Sequence, residues 1–305
     1  MNIEDREQQS GGDDRLIFLG NERIALNLAP VQGGAIASLA YRNGNVTIPV
    51  LRGRPCRPAS ILEAACFPLV PYCNRIRNGR FRFRGRDVTL APNMEGDPSP
   101  LHGQGWLSPW QVVRHDRLEA ELSFHHAAGQ WPWRYEARQI FSLNGGILAI
   151  DLTCRNLSDD AMPCGLGQHP YFTCTIDTRL DTEVDSAWTV DENVLPVEKV
   201  EAAGRYDLRD RRICAQDLDN GFGGWRGEAR IDDPTWPFRI RLASPDAGFF
   251  QLYSPMEGDM FVAEPVTHAN AALNEPEADW ATLGLKLLEP GEQMRLRTRI
   301  EIVGK

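Results

Sequence analysis

The stretch Trp133-Arg134-Tyr135-Glu136-Ala137-Arg138-Gln139-Ile140-Phe141 decides the fold class. Trp133, Tyr135, Ala137 and Phe141 alternate with Arg134, Glu136 and Arg138. A period of two sends successive side chains to opposite faces, one apolar and one charged, as a half-buried antiparallel strand requires. Asn144-Gly145-Gly146 follows and reads as a hairpin turn into a second long strand pattern. The alternation recurs on both sides: Ile24, Leu26 and Leu28; Leu118, Ala120, Leu122 and Phe124; Phe238, Ile240 and Leu242; Met294, Leu296, Ile300 and Ile302. Pro290-Gly291 marks a turn before the last run. Helical patterns are scarce, and only residues 61–67 and 277–283 suggest short helices. Many strands with few helices predict an all-β protein, a large antiparallel β-sandwich.

The bulk properties agree with a globular chain. Of 305 residues, 42% are hydrophobic and 25% charged, enough to bury a real core. No composition break or long linker divides the sequence, so residues 15–305 are expected to form a single domain. The polar, acidic residues 1–14 are expected to be a flexible N-terminal tail. A formal net charge of -9 argues against nucleic acid and anionic membranes as partners. No signal peptide or membrane span is visible. The seven cysteines are odd in number and contain no CxxC pair, which predicts buried free thiols in a reducing cytoplasm, not a disulfide framework or zinc ribbon.

Polar clusters interrupt the strand pattern. They are Asn74-Arg75-Ile76-Arg77-Asn78-Gly79-Arg80-Phe81, Leu101-His102-Gly103-Gln104-Gly105-Trp106, Gly165-Leu166-Gly167-Gln168-His169-Pro170-Tyr171-Phe172, and Leu218-Asp219-Asn220-Gly221-Phe222. A fifth runs from Phe249-Phe250-Gln251-Leu252-Tyr253 through Phe261-Val262-Ala263-Glu264-Pro265-Val266-Thr267-His268 to Ala272-Leu273-Asn274. Together they supply two histidines in Gly-rich loops, an arginine, an aspartate and a carboxylate near a strand end. Trp106, Tyr171 and Phe222 are candidates to stack on a flat apolar face. That mixture suits a polyhydroxylated ligand, with hydrogen-bond forks for hydroxyls and a ring for the C–H face. Residue types alone leave the reading at a polar site of acid/base or sugar-binding kind.

In this order, the segments resemble the aldose 1-epimerase (galactose mutarotase-like) family. Asn-Arg-Ile-Arg-Asn-Gly-Arg-Phe is similar to its N-R-I-x-x-G-R-F element, and Leu-His-Gly-Gln-Gly-Trp to its H-G element. Gly-Gln-His-Pro-Tyr-Phe resembles the stretch with the catalytic histidine, and Glu264 to Asn274 the C-terminal Glu…Asn element. The resemblance spans roughly residues 16–303 and implies a galactose mutarotase-like supersandwich with a shallow sugar cleft. It implies Glu264 as general base, His169 as general acid, and His102 as a residue that hydrogen-bonds the substrate and assists the acid side. Arg75 and Asp219 would position hydroxyls, with Asn74 and Gln251 as further substrate contacts. The implied partner is a small hexose such as glucose or galactose, with the chain a monomer or homodimer. The implied chemistry uses no cofactor and no metal. It needs two groups of different proton affinity on either side of the anomeric carbon, and it expects His169 to be substantially protonated.

Competing assignments are specific. Asp217 competes with Asp219, and Glu257 with Glu264. His115, His125, His126 and His268 are expected to be structural. Gln104, between Gly103 and Gly105, departs from the two glycines that galactose-specific members carry after the histidine, which bears on the preferred sugar. A hexose-6-phosphate 1-epimerase would recruit Arg52, Arg54, Arg57 and Arg77 to a phosphate. A non-catalytic carbohydrate-binding protein would use the same sandwich without turnover.

Overall fold

The computed structural model describes residues 16–305; the expected tail at residues 1–14 lies outside the described residues. The long hairpin is present as Tyr135–Asn144 and Ile147–Asn156, antiparallel, with Asn144 opposite Ile147. Gly145 takes the left-handed conformation that closes so tight a loop (φ 55°). The strand begins at Tyr135. Trp133, which the alternation included, instead packs against Trp131 and Phe83 in an aromatic cluster ahead of it.

This hairpin is the middle of a nine-stranded sheet in which the last strand, Gln293–Gly304, pairs with both Ile147–Asn156 and Phe238–Ala243. An eight-stranded sheet contains the neighbouring strands Leu218–Gly223, Phe249–Ser254 and Met260–Val266. Every named strand pair is antiparallel. Ile150, Leu296 and Ile240 of the nine-stranded sheet and Phe222, Phe250 and Phe261 of the eight-stranded sheet share one buried cluster, the core of a sandwich. Phe222 therefore belongs to that core and is corrected as a ligand-stacking candidate. Strand alternation sends it to the face opposite Asp219.

The two expected helices reduce to single 3-10 turns, Ile61–Glu63 and Glu277–Asp279. The first stops because the chain then pairs with a strand: Ala65 N–H donates to Ile36 O, and Ile36 N–H to Cys66 O, both at 2.8 Å. Backbone groups committed to that bridge cannot continue a helix. All seven cysteines are unpaired, and all but Cys56 are buried. No helix among the described residues is long and apolar enough to cross a membrane.

The outer face of the eight-stranded sheet carries a second apolar cluster. Val262 and Val266 rise from the sheet, with Tyr171 from the short strand paired to Val262, and Phe67, Leu101 and Trp106 cover them from the loops. A satellite core of this kind fixes loops on a sheet, and here it forms the apolar surround of a cleft.

Candidate active site

Three adjacent strands build the floor. Register places Gly221 opposite Gln251, and Gln251 opposite Glu264, so the three lie in one row across the sheet. Period two brings Asp219 and Tyr253 to the same face, where they are themselves paired. Gln251 Nε2 donates to Asp219 Oδ1 at 2.9 Å. Gly221 leaves its end of the row open, since a Cβ there would crowd Gln251 Oε1 at 3.1 Å.

Loops supply the walls. Asn74 and His102 both hold positive φ, 58° and 60°, an uncommon state for residues with side chains. Each holds the other there. Asn74 N–H donates to His102 Nδ1 at 3.0 Å, and His102 N–H donates to Asn74 O at 2.9 Å. With Nδ1 accepting, neutral His102 carries its proton on Nε2 and is a hydrogen-bond donor. Burial pushes its pKa well below the ordinary histidine value, and the neighbouring His169 and Arg75 add to that effect. Arg75 is anchored by Nε to Asp97 Oδ2 at 2.8 Å and by Nη1 to Asn74 Oδ1 at 3.1 Å.

His169 lies flat on Phe67, with ring centroids 4.4 Å apart, and 4.7 Å from the ring of Tyr171. Its Nε2 is 3.4 Å from Glu264 Oε1. Glu264 Oε2 and His169 Nδ1 are buried with no hydrogen-bond partner. Burial raises the Glu264 carboxyl well above its ordinary range; Asp219 raises it further and Arg75 opposes this. Burial lowers His169 to about 3, with the Arg52 charge adding to the effect. The expected standing imidazolium is corrected: packed against two aromatic rings and out of water, the charged ring loses its solvation. Burial thus disfavours the charged form of both partners, the imidazolium and the carboxylate. Burial likewise raises Asp219.

All seven residues singled out by sequence, His169, Glu264, His102, Arg75, Asp219, Asn74 and Gln251, line this one cleft. Its volume is about 150 Å³, small beside the roughly 300–1,000 Å³ of drug-sized sites, and suited to a single sugar ring. Phe67, Met94, Leu62 and Tyr253 also line it and were not singled out as site residues. Phe67 sits in ordinary apolar sequence and Met94 is a lone apolar residue in the polar stretch Asn93-Met94-Glu95-Gly96, and neither context carries a signal of a ligand. Tyr253 had one: it is two residues beyond Gln251 in a strand pattern. Asp217 and Glu257 do not line the cleft. Gln104 turns away from it, accepting from Tyr135 O–H at 3.1 Å, so it does not touch the sugar position. Asn274 ties the arginine-rich loop to the C-terminal segment, accepting from Arg77 N–H and donating to Arg80 O, both at 2.7 Å. His268 is structural: its Nε2 accepts from Cys73 N–H at 2.9 Å.

Of the four arginines considered for a phosphate, Arg52 caps Tyr171, and Arg77 donates to Pro196 O at 3.3 Å. Arg54 and Arg57 line a neighbouring groove that meets the cleft at Leu62. Among the described residues, no group of three or more His, Cys, Asp or Glu side chains could hold a metal ion.

The cleft on the β-sandwich thus brings a buried carboxyl within 3.4 Å of an imidazole, an arrangement suited to acid/base chemistry. A sequence profile of the aldose 1-epimerase family matches residues 15–301, and the chain belongs to that family. It is 33% identical over 272 residues to the uncharacterized protein YphB of Escherichia coli K12, covering 86% of this chain and 90% of YphB. The Escherichia coli aldose 1-epimerase is 27% identical over 160 residues, 48% of this chain and 45% of that protein. A crystal structure from Escherichia coli K12, described as a candidate aldose 1-epimerase, superposes with a TM-score of 0.86 at 30% identity, over 95% of this chain and 99% of that one. Membership supports sugar epimerase or mutarotase activity in general terms.

Proposed function

We propose that the protein is a cofactor-independent aldose 1-epimerase that interconverts the α and β anomers of a free hexose. The observation that carries this reading is the buried Glu264–His169 couple at 3.4 Å, each partner with an unmet hydrogen-bonding atom. In the opening step the Glu264 carboxylate takes the proton of the anomeric hydroxyl while the His169 imidazolium protonates the ring oxygen. The C1–O5 bond breaks and the aldehyde forms. The couple is then a carboxylic acid beside a neutral imidazole. Rotation about C1–C2 exposes either face, and closure returns each proton to its origin.

Both proton arrangements of the couple are therefore used in one cycle, and both have zero net charge. Burial favours the arrangement in which the open chain is bound; substrate hydroxyls facing Glu264 Oε2 and His169 Nδ1 supply the hydrogen bonds that make the other accessible. His102 Nε2–H reinforces the acid side by donating to the sugar. Arg75, Asn74, Asp219 and Gln251 form the polar end that fixes the remaining hydroxyls. We place the activity in the cytoplasm, in keeping with the unpaired thiols.

The test is polarimetry on freshly dissolved α-glucose and α-galactose with and without protein. Faster relaxation to the same final rotation supports the reading. Sugar binding without acceleration favours a non-catalytic carbohydrate-binding protein. Acceleration confined to a hexose 6-phosphate, with affinity falling as salt rises, favours the phosphosugar enzyme.

A further inference from the structure

His169 sits in a cluster of rings that extends beyond the cleft. The His169 ring packs against Phe67 and Tyr171, with centroids at 4.4 and 4.7 Å, those two rings are themselves 6.1 Å apart, and the Arg52 guanidinium covers Tyr171, 3.2 Å from the centre of its ring. Arg52 Nε donates to Ala64 O at 3.1 Å, and Nη2 donates to Leu62 O. Its backbone N–H donates to Tyr171 O at 2.9 Å. In turn, Tyr171 N–H donates to Ala65 O at 2.9 Å and His169 N–H to Phe67 O at 3.0 Å. One side chain thus joins the turn carrying Leu62, the segment leading to Phe67, and the strand Tyr171–Thr173 just after His169.

We propose that Arg52 is a positioning residue for the acid/base couple: by clamping Tyr171 and the Leu62–Ala64 carbonyls it sets the plane of the His169 ring against Glu264. This rests on the acid/base reading of the cleft. A flat guanidinium can cover a ring face and bond two carbonyls at once; an ammonium cannot do both. The groups facing His169 are Glu264 from Met260–Val266, His102 from its loop, Tyr171 from the following strand, and Cys66 and Phe67 from the segment before residue 68. Arg52 adds the cation behind Tyr171, which opposes a second positive charge on the imidazole.

The test uses Arg52→Gln, Arg52→Lys, Tyr171→Leu and the Arg52/Tyr171 double variant of the full chain, with Arg54→Gln as a neighbouring-charge control. Polarimetry gives kcat and KM, and a thermal melt verifies that each variant is folded. Arg52→Gln is expected to lower kcat by about tenfold or more, the scale of a small misplacement of a reacting group, with KM within about twofold. Arg52→Lys does not restore kcat. The double variant loses little more than Tyr171→Leu alone, because Arg52 acts through its contact with Tyr171, and Arg54→Gln leaves both constants unchanged. If Arg52→Gln melts below the assay temperature, Arg52→Lys carries the same kcat-against-KM test.

A rise in KM at constant kcat, or a loss seen only with a sugar phosphate, would make Arg52 a substrate contact and overturn the proposal. NMR titration of the His169 ring separates this from the functional reading, since it needs no turnover. Its midpoint is expected to rise in Arg52→Gln relative to wild type. An unchanged midpoint with an unchanged ring environment overturns the positioning role even if the protein is a mutarotase. A shifted midpoint in a protein without turnover leaves the positioning role standing and removes the mutarotase reading.

Discussion

Replacing Glu264 by Gln preserves the shape of the side chain and removes its proton chemistry. The carboxyl is 3% exposed, has one oxygen without a partner, and has its other oxygen 3.4 Å from His169 Nε2. Gln can neither accept the anomeric proton nor return it, so His169 loses its counterpart in both half-reactions. Asp219 does not stand in, because it is bonded to Gln251 Nε2 at 2.9 Å and His169 makes no ion pair with it. The expected fall in kcat is at least about 10²-fold, corresponding to about 2.7 kcal/mol of transition-state stabilisation. Stability should move the other way. Because burial raises the folded pKa of Glu264, the folded state holds this proton at pH values where the unfolded chain, with an ordinary Glu pKa of about 4.3, has released it. Wild-type stability then declines as pH rises through the interval between the two values, whereas Gln has no such dependence. The assays are polarimetric turnover and thermal melts of both proteins at several pH values. Glu264→Gln should be the more stable at pH 7, with the advantage shrinking towards pH 4. Near-wild-type turnover, or a Glu264→Gln advantage that grows on acidification, would refute the reasoning.

His169→Asn should also cut kcat by about 10²-fold or more, measured by the same assay, while leaving Glu264 without its imidazole partner. The kcat/KM–pH profile should lack an acid limb at the ordinary histidine value of about 6.5. His169 gains its second proton only near 3, and activity falls on the alkaline side as Glu264 loses the couple's last exchangeable proton; a limb centred on 6.5 would contradict this. Asp219→Asn should raise KM more than it lowers kcat, because it touches hydroxyls away from the reacting bond; a pure kcat loss would show otherwise. Gly165→Ala should destabilise by about 1–3 kcal/mol in denaturant melts, since the added methyl would overlap the His268 ring that accepts Cys73 N–H.

The sandwich was legible because alternation is a local signal. Ile24, Leu122, Ile240 and Leu296 each announce a buried face without reference to distant residues. The two helices were over-read for the complementary reason: nothing in residues 61–67 tells that Ala65 and Cys66 bond to Ile36, a long-range pairing. The cleft residues were legible through ordered motifs and were spread from Asn74 to Glu264, yet they converge in one cleft. What the motifs did not carry was the proton's location. The chemistry implied by the resemblance asked for a protonated His169, whereas its burial against Phe67 and Tyr171 favours the neutral ring, and burial is a property of packing. Gln104 shows the converse error, a motif position that points inward to Tyr135 and away from the sugar. Phe222 differs by strand parity alone: it faces the core because Asp219 faces the cleft.

The central claim, that Glu264 and His169 open and reclose a hexose ring, is tested most directly by exchange NMR on an equilibrated hexose. No net change occurs there, so signal passes between the α and β anomeric protons only if the anomers interconvert. The account predicts enzyme-dependent exchange cross-peaks for glucose or galactose with wild-type protein, and their loss with Glu264→Gln and with His169→Asn. Wild-type protein that gives no exchange with either hexose, or a Glu264→Gln protein that exchanges as fast as wild type, would contradict it.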